Sequence, residues 1–401
     1  MPRPGSRARL AATLAAVGLG LAAALVTPRN GPAPDGNGES PLAPGGGRLE
    51  LGPAPAAQGF SRAEAPRAFR LPEDHGPHFE YQTEWWYYTG NLASADGSRY
   101  GFQLTFFRRG LTPGSPPDGP GLATNQVYFA HFAITDVAGR RHVAAERFAR
   151  GAAGLAGATG RPFAVWLEGW RAEAASDDGD RVRVSAGDAR VGLSLDLVLE
   201  SRKPLVAHGD RGLSAKSGER GNASYYVGYT RLAARGTIGL GEGQAEVEGE
   251  AWFDHEWSTS ALGAGAVGWD WFSLQLGDGR ELMYFRIRRD DGAVEEASSG
   301  TLVFPDGRTR RLARNDVAVT VLGRWTSPGS GVVYPSRWRL GVPSERLEIV
   351  VEPRLPDQEM RTSFVYWEGA VTVAGTAEGR PVTGQGYVEL TGYGASMQGV
   401  F

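Results

Sequence analysis

The sequence has no cysteine, which excludes disulfides, a thiolate nucleophile, a Cys-ligated metal and a lipid-bearing N-terminal cysteine. It also lacks a basic excess: 42 Lys and Arg stand against 45 Asp and Glu, a net charge of −3. The two signs are interspersed, so no stripe of positive charge is offered to a phosphate backbone, and nucleic acid is excluded as a partner. There is no G-x-S-x-G elbow and no H-E-x-x-H pair, so no local motif encodes a serine hydrolase or a zinc protease. Ser224, in Asn-Ala-Ser-Tyr-Tyr, reads more simply as the start of a strand. A metal held by His131, His255 and Asp254 or Glu256 would depend on the fold, because no spacing fixes it. Beyond the N-terminus, no long stretch keeps a helical hydrophobic period.

What is present favours strands and tight turns: 58 Gly, 25 Pro, 11 Trp and 13 Tyr in 401 residues. The fold class expected is all-β, with room for two ordinary domains. Arg3, Arg7 and Arg9 precede an uncharged Ala/Leu-rich run, Leu10 to Val26. Residues 1–27 therefore read as an export signal, either cleaved or kept as an N-terminal anchor, with the remainder periplasmic or secreted. Residues 28–66 are rich in Pro, Gly and Ala and read as a linker.

Asp74–Leu92 reads as a lead-in turn followed by a strand; an Asp96-Gly97 turn then leads into a strand at Tyr100–Phe107, and another is expected at Gln126–Asp136. Others are expected at Phe163–Ala172, Val182–Ser185, Val191–Glu200, Ala223–Leu232 and Ala245–His255. Leu111–Asn125 reads as a loop at a barrel mouth, and Lys203–Asn222 as a lid or rim segment. The second half repeats the first. Val247-x-Gly249-x-Ala251 falls on Val382-x-Gly384-x-Gly386, which sets Asp254 on Glu389, and Glu84-Trp85 falls on Asp270-Trp271. Closing each half on itself makes its first and last strands neighbours and removes open edges. Two antiparallel barrels follow, 67–263 and 264–401, each able to hold a small apolar ligand. Gly268-Trp269 reads as a plug at a closed barrel end.

The densest chemistry lies in Ala251–Ser258, AWFDHEWS. On a strand, Trp252, Asp254 and Glu256 share one face, while Phe253, His255 and Trp257 share the other. A carboxyl against indole rings in a dry pocket has its pKa raised, which yields a general acid at neutral pH. Pairing with Arg or backbone N–H groups at a barrel rim is the structural alternative.

The segments DHGPHFEYQTEWWYYTGNL (74–92), AHFAITD (130–136), HGDRGLSAKSGERGNASYYVGYTR (208–231), AWFDHEWS, GWDWFSLQL (268–276), SGVVYPSRWRL (330–340) and YVELTGY (387–393) resemble the AttH-like branch of the carotenoid 1,2-hydratase family. The resemblance runs from about Arg67 to the C-terminus. It implies two tandem lipocalin-like barrels, export, no cofactor and an apolar isoprenoid or lipid ligand; members are often labelled secreted hydrolases. In the hydratases an acid protonates a double bond and aromatic faces attenuate the cation. His255-x-Trp257 matches their His-x-Trp pattern. The strand where they carry their acid reads here Glu281-Leu282-Met283-Tyr284-Phe285-Arg286, with no Asp, so Asp254 would take that role.

Asp254, with Glu84 as partner and His255 and Glu256 beside it, is the expected catalytic set. Trp85, Trp86, Tyr88, His131, His208, Tyr225, Trp252, Trp257 and Trp271 are the expected ligand contacts. Three readings remain open: an acid-catalysing enzyme, a lipid carrier serving an FtsX-type ABC transporter permease, and a structural envelope protein with solid barrels.

Overall fold

Alternation of apolar and polar residues resolves into 23 strands forming two sheets. The computed structural model describes residues 58–117, 123–176, 180–260 and 262–399; the expected signal and most of the expected linker lie outside them. The first sheet comprises β1 (Thr83–Ser94), β2 (Arg99–Gly110), β3 (Gln126–Asp136), β4 (Arg141–Arg150), β5 (Ala156–Gly160), β6 (Phe163–Leu167), β7 (Trp170–Ala174), β8 (Arg181–Asp188), β9 (Leu193–Ser201), β10 (Val206–Ala207), β11 (Leu213–Ala215), β12 (Ala223–Leu240) and β13 (Gly243–Ser258). The second comprises β14 (Ala266–Leu276), β15 (Glu281–Arg289), β16 (Ser299–Val303), β17 (Thr309–Ala313), β18 (Ala318–Thr326), β19 (Val333–Val342), β20 (Leu347–Pro353), β21 (Glu359–Arg361), β22 (Val365–Ala377) and β23 (Arg380–Leu390). Every ladder is antiparallel, and in each sheet the first strand pairs with the last: β1 with β13, β14 with β23. Among the described residues there is no α-helix, only three short 3₁₀ turns.

Each sheet curls around its own core, giving two lipocalin-like barrels. In the first, Trp86, Tyr88, Phe102, Phe132, Trp170 and Phe253 meet inside; Phe132 and Trp170 pack edge to face at 5.7 Å. Burying each such ring contributes roughly 2–3 kcal/mol. Among the described residues the sheet's two ends, β4 and β5, are not joined by a ladder. Instead Arg147 of β4 pairs with Glu168, donates to Gly187 O at 3.2 Å and stacks over Trp170. The second core gathers Phe272, Tyr284, Trp338 and Trp367.

Several expected boundaries shift for local reasons. The strand expected over Phe163–Ala172 breaks into β6 and β7, because Glu168 (φ 53°) and Gly169 form a turn. The Asp96-Gly97 hairpin forms, with Gly97 at φ 87°. The Lys203–Asn222 segment carries β10 and β11, which lie against β12. The repeat is real in topology but not in a single register. Trp85 stands opposite Glu256, whereas Trp271 stands opposite Glu389, so the ladders equate Glu256, not Asp254, with Glu389 when the two Trp are superposed. A two-residue slip keeps every side chain on its face, so it is invisible to the alternation pattern.

The two sheets belong to one compact unit, and their facing sides are tightly sewn. Gln275 donates to Thr230 O and Ala251 O, both at 2.9 Å, and Asn91 donates to Gly386 O at 2.9 Å. Glu281, fully buried, accepts from Lys203 at 2.7 Å and Arg231 at 2.6 Å across the seam. A Cβ on Gly101 would lie 2.6 Å from that of Ala370.

Candidate active site

A cavity lies between the two barrels, not inside one of them as closure led us to expect. The buried side chains named above pack inside the barrels; the first keeps a small hollow of ≈ 310 Å³ bounded by His75, Tyr88, Tyr229 and Phe253. The inter-barrel cleft has an empty volume of ≈ 760 Å³. Its first wall is the outer face of β1, β2, β12 and β13, bearing Trp85, Tyr87, Thr105, Phe107, Tyr226, Asp254 and Glu256. Its second wall is the facing side of β14, β15, β22 and β23, bearing Trp269, Trp271, Phe285, Ile287, Tyr366 and Glu389, with Lys216 and Leu262 completing the lining. The lining is mostly aromatic and aliphatic with a few convergent polar groups, the composition of a site for a largely apolar molecule.

Asp254 is 3% exposed. Tyr226 OH donates to its Oδ2 at 2.5 Å and Trp252 Nε1 to its Oδ1 at 2.8 Å. Trp271 Nε1 donates to the Tyr226 oxygen at 3.0 Å, which fixes the phenol. Burial pushes the Asp254 carboxyl up to about 8, against the opposing effect of those two hydrogen bonds, with nearby Glu256 adding to the rise. Room for the carboxyl comes from Gly228, where a Cβ would lie 2.5 Å from Asp254 Oδ1. His208 reaches this centre from the β10–β11 turn. Its Nδ1 bonds Thr301 Oγ1 at 3.0 Å and its Nε2 lies 3.9 Å from Asp254 Oδ1 without a hydrogen bond. Burial lowers its pKa to about 3, so the ring is neutral and offers Asp254 no cation.

Glu256, by contrast, is paired with a cation: Lys216 Nζ sits 2.5 Å away and Ser224 donates to the same oxygen. The ammonium also lies over the rings of Phe285, at 4.5 Å, and Tyr226, at 5.5 Å. On the second wall Trp269 Nε1 donates to Glu389 Oε2 at 2.8 Å. Burial, with the charge of Glu256, raises the Glu389 carboxyl to about 7. Beside it in the ladder, Glu368 is fully buried, accepts from Tyr87 OH, and is held well above the usual carboxylate range by burial and by Glu389.

The expected set divides between the two faces of the first sheet. Asp254, Glu256, Trp85 and Trp271 line the cleft, with Trp252 and His208 directly behind. Glu84, His255, Trp86, Tyr88, Tyr225 and Trp257 do not; they lie on the barrel side or at its rim. The expected partnership of Glu84 with Asp254 is therefore corrected by strand alternation. Glu84 accepts from Arg108 Nε and bonds His78 Nδ1 and His255 Nε2, all at 2.8 Å, while His78 stacks on Trp257 at 3.8 Å. His78, Glu84 and His255 put donor atoms within 4.8 Å of one another, but the Arg108 guanidinium already occupies Glu84. His78 Nδ1 and His255 Nε2 both bond Glu84 Oε1, so these donor atoms are engaged with one another, and against the lowering effect of burial the two carboxylate partners hold the His78 pKa above its ordinary value. His131 sits between the barrels, its Nδ1 bonding Tyr366 OH at 2.8 Å and its Nε2 bonding Glu146 at 2.9 Å.

Trp269, expected as a barrel plug, is a cleft wall. Tyr226, Tyr87, Lys216, Gly228 and Glu389 complete the site without having been singled out for it from sequence. Two signals were available: Lys216 is one of only two lysines in the chain, and Glu389 already stood on Asp254 in the repeat.

The AttH-like family model matches residues 62–393. No curated protein matches the sequence. Among solved structures, an AttH candidate from Nitrosomonas europaea is 34% identical, with 83% of this chain and 100% of that chain covered at a TM-score of 0.73. Kievitone hydratase from Nectria haematococca is 15% identical over 84% of this chain and 97% of its own, TM-score 0.63, a likeness of fold. The family match spans both barrels and every cleft residue named above: this chain belongs to the AttH-like family.

Proposed function

We propose that the chain is an enzyme of the hydratase type, in which Asp254 passes a proton to or from an apolar, isoprenoid- or lipid-like molecule held in the inter-barrel cleft. The observation that carries this reading is the state of Asp254: a buried carboxyl, protonated up to about pH 8, on an aromatic wall with no cation bonded to it among the described residues. Protonating a double bond leaves a carbocation, and the π-faces of Trp85, Trp271 and Phe285 are the groups that would lower its energy. Water then captures it; dehydration runs the same steps in reverse. The hydratase name of the Nectria relative, which shares the fold, agrees with this direction. Export, which rests on the Arg3–Val26 pattern alone, would give the site access to envelope lipids.

The test is mass spectrometry of apolar molecules that co-purify with the native protein and with Asp254→Asn. A hydrated or dehydrated product on the wild type, with its precursor on the variant, is expected. The same unmodified molecule on both overturns catalysis and leaves a carrier, the role in which an ABC transporter permease would be the partner.

A further inference from the structure

Hydration and dehydration each need two proton transfers, and Asp254 supplies one. Three carboxyls in or next to the cleft are candidates for the other, and their surroundings differ. Glu256 is tied to Lys216 and Ser224. Glu368 is fully buried behind Tyr87. Glu389 is half-buried, lines the cleft from the opposite barrel, and holds one hydrogen bond, Trp269 Nε1 to Oε2; its Oε1 accepts none among the described residues. Resting on the reading of Asp254 above, we propose that Glu389 is the general base of the site, so that each barrel contributes one of the two proton-transfer groups.

The transfers balance. In hydration the Asp254 carboxyl gives its proton to an alkene carbon, the alkene electrons forming the C–H bond. Water oxygen bonds to the cation and loses a proton to the Glu389 carboxylate. One water is added across the double bond, and the two carboxyls return to their starting states through solvent. The indole N–H of Trp269 keeps Glu389 oriented and favours its ionised form. The groups facing Glu389 from the packed elements are Glu368 and Tyr366 on β22, Tyr87 on β1, Asp254 and Glu256 on β13, and Lys216. With Glu368 held neutral and Glu256 matched by Lys216, Glu389 is the carboxyl left to ionise near neutrality.

The test uses a base-sensitive probe, 5-nitrobenzisoxazole, on the full chain. A carboxylate removes its C–H proton, those electrons complete a nitrile, the N–O bond breaks and a coloured phenolate leaves. The wild type is expected to cleave it with a rate rising through pH about 7. Glu389→Gln should lose about 100-fold, the usual contribution of a positioned base, and with it the pH dependence, whereas Glu256→Gln, which removes a charge that helps raise Glu389, should move the midpoint downward. Trp269→Phe retains the base but shifts the midpoint upward, a readout that mere loss of packing would not give. Glu389→Gln as fast as wild type, or a wild type no faster than free acetate, overturns the proposal. Either failure leaves the co-purification comparison at Asp254 unaffected, since that experiment does not involve this probe.

Discussion

Glu84 and Asp254 stand on adjacent, hydrogen-bonded strands and face opposite sides of the same sheet. Their charge states are opposite too. Glu84 meets Arg108, His78 and His255 and is held ionised, well below the usual carboxylate range. Asp254 meets a phenol, an indole and a glycine, and is held protonated. One sheet thus separates a buried ion network from a largely apolar cleft.

The pH dependence of stability should betray Asp254. Its folded pKa, about 8, lies above the ordinary 3.8. Between those values the unfolded chain gives up this proton while the folded chain keeps it, so stability falls as pH rises, by about 1.4 kcal/mol per unit within that window. Asp254→Asn removes this slope. The variant is expected to gain on the wild type from pH 5 to pH 8 in denaturant titrations; parallel profiles for the two proteins would refute the buried protonated acid.

Glu84→Gln should behave in the reverse sense. The folded pKa of Glu84 is depressed, so its stabilisation is present above the ordinary value of 4.5 and is lost as pH falls. At neutral pH the substitution leaves the fully buried Arg108 without its counter-charge and weakens the partners that hold up the pKa of His78. A loss of about 3–5 kcal/mol is expected, as for other broken buried pairs. The gap to wild type should narrow in melts carried out progressively below pH 4.5. Because Glu84 is outside the cleft, the molecules that co-purify should be unchanged; their loss would show that Glu84 acts on the ligand after all.

The fold was legible because period-two alternation, Gly turns and the duplicated strand order all act locally or through simple closure. The acid-bearing face of AWFDHEWS was legible for the same reason. What could not be read was which face of that strand meets the other barrel. Trp85 and Trp86 look alike in sequence, yet one lines the cleft and the other fills a barrel core. That choice is made by the packing of two sheets whose strands are far apart in the chain. Trp269 was misjudged on this account, since a Trp after Gly plugs a barrel only if it points inward. Lys216 escaped because the segment around it reads as a loop, and only its pairing along β12 brings the ammonium to Glu256.

Gly228 should be as necessary to the site as Asp254 itself. Glycine leaves open the space that the carboxyl fills, with a Cβ there falling 2.5 Å from Asp254 Oδ1, 2.6 Å from Phe253 O and 3.3 Å from His208 Nε2. The first and third neighbours can move aside; the backbone carbonyl cannot without disturbing the β12–β13 ladder. Gly228→Ala is therefore expected to cost about 1–3 kcal/mol, the range for overpacking, and to drive the Asp254 carboxyl from the donors on Tyr226 and Trp252. Turnover should fall as far as in Asp254→Asn, while the apolar walls continue to hold the ligand. Carbon-detected NMR of the Asp254 carboxyl, followed through a pH titration, provides the check. A midpoint still near 8 in the folded variant would mean that the carboxyl had kept its place, and that the space at Gly228 serves the strand rather than the acid.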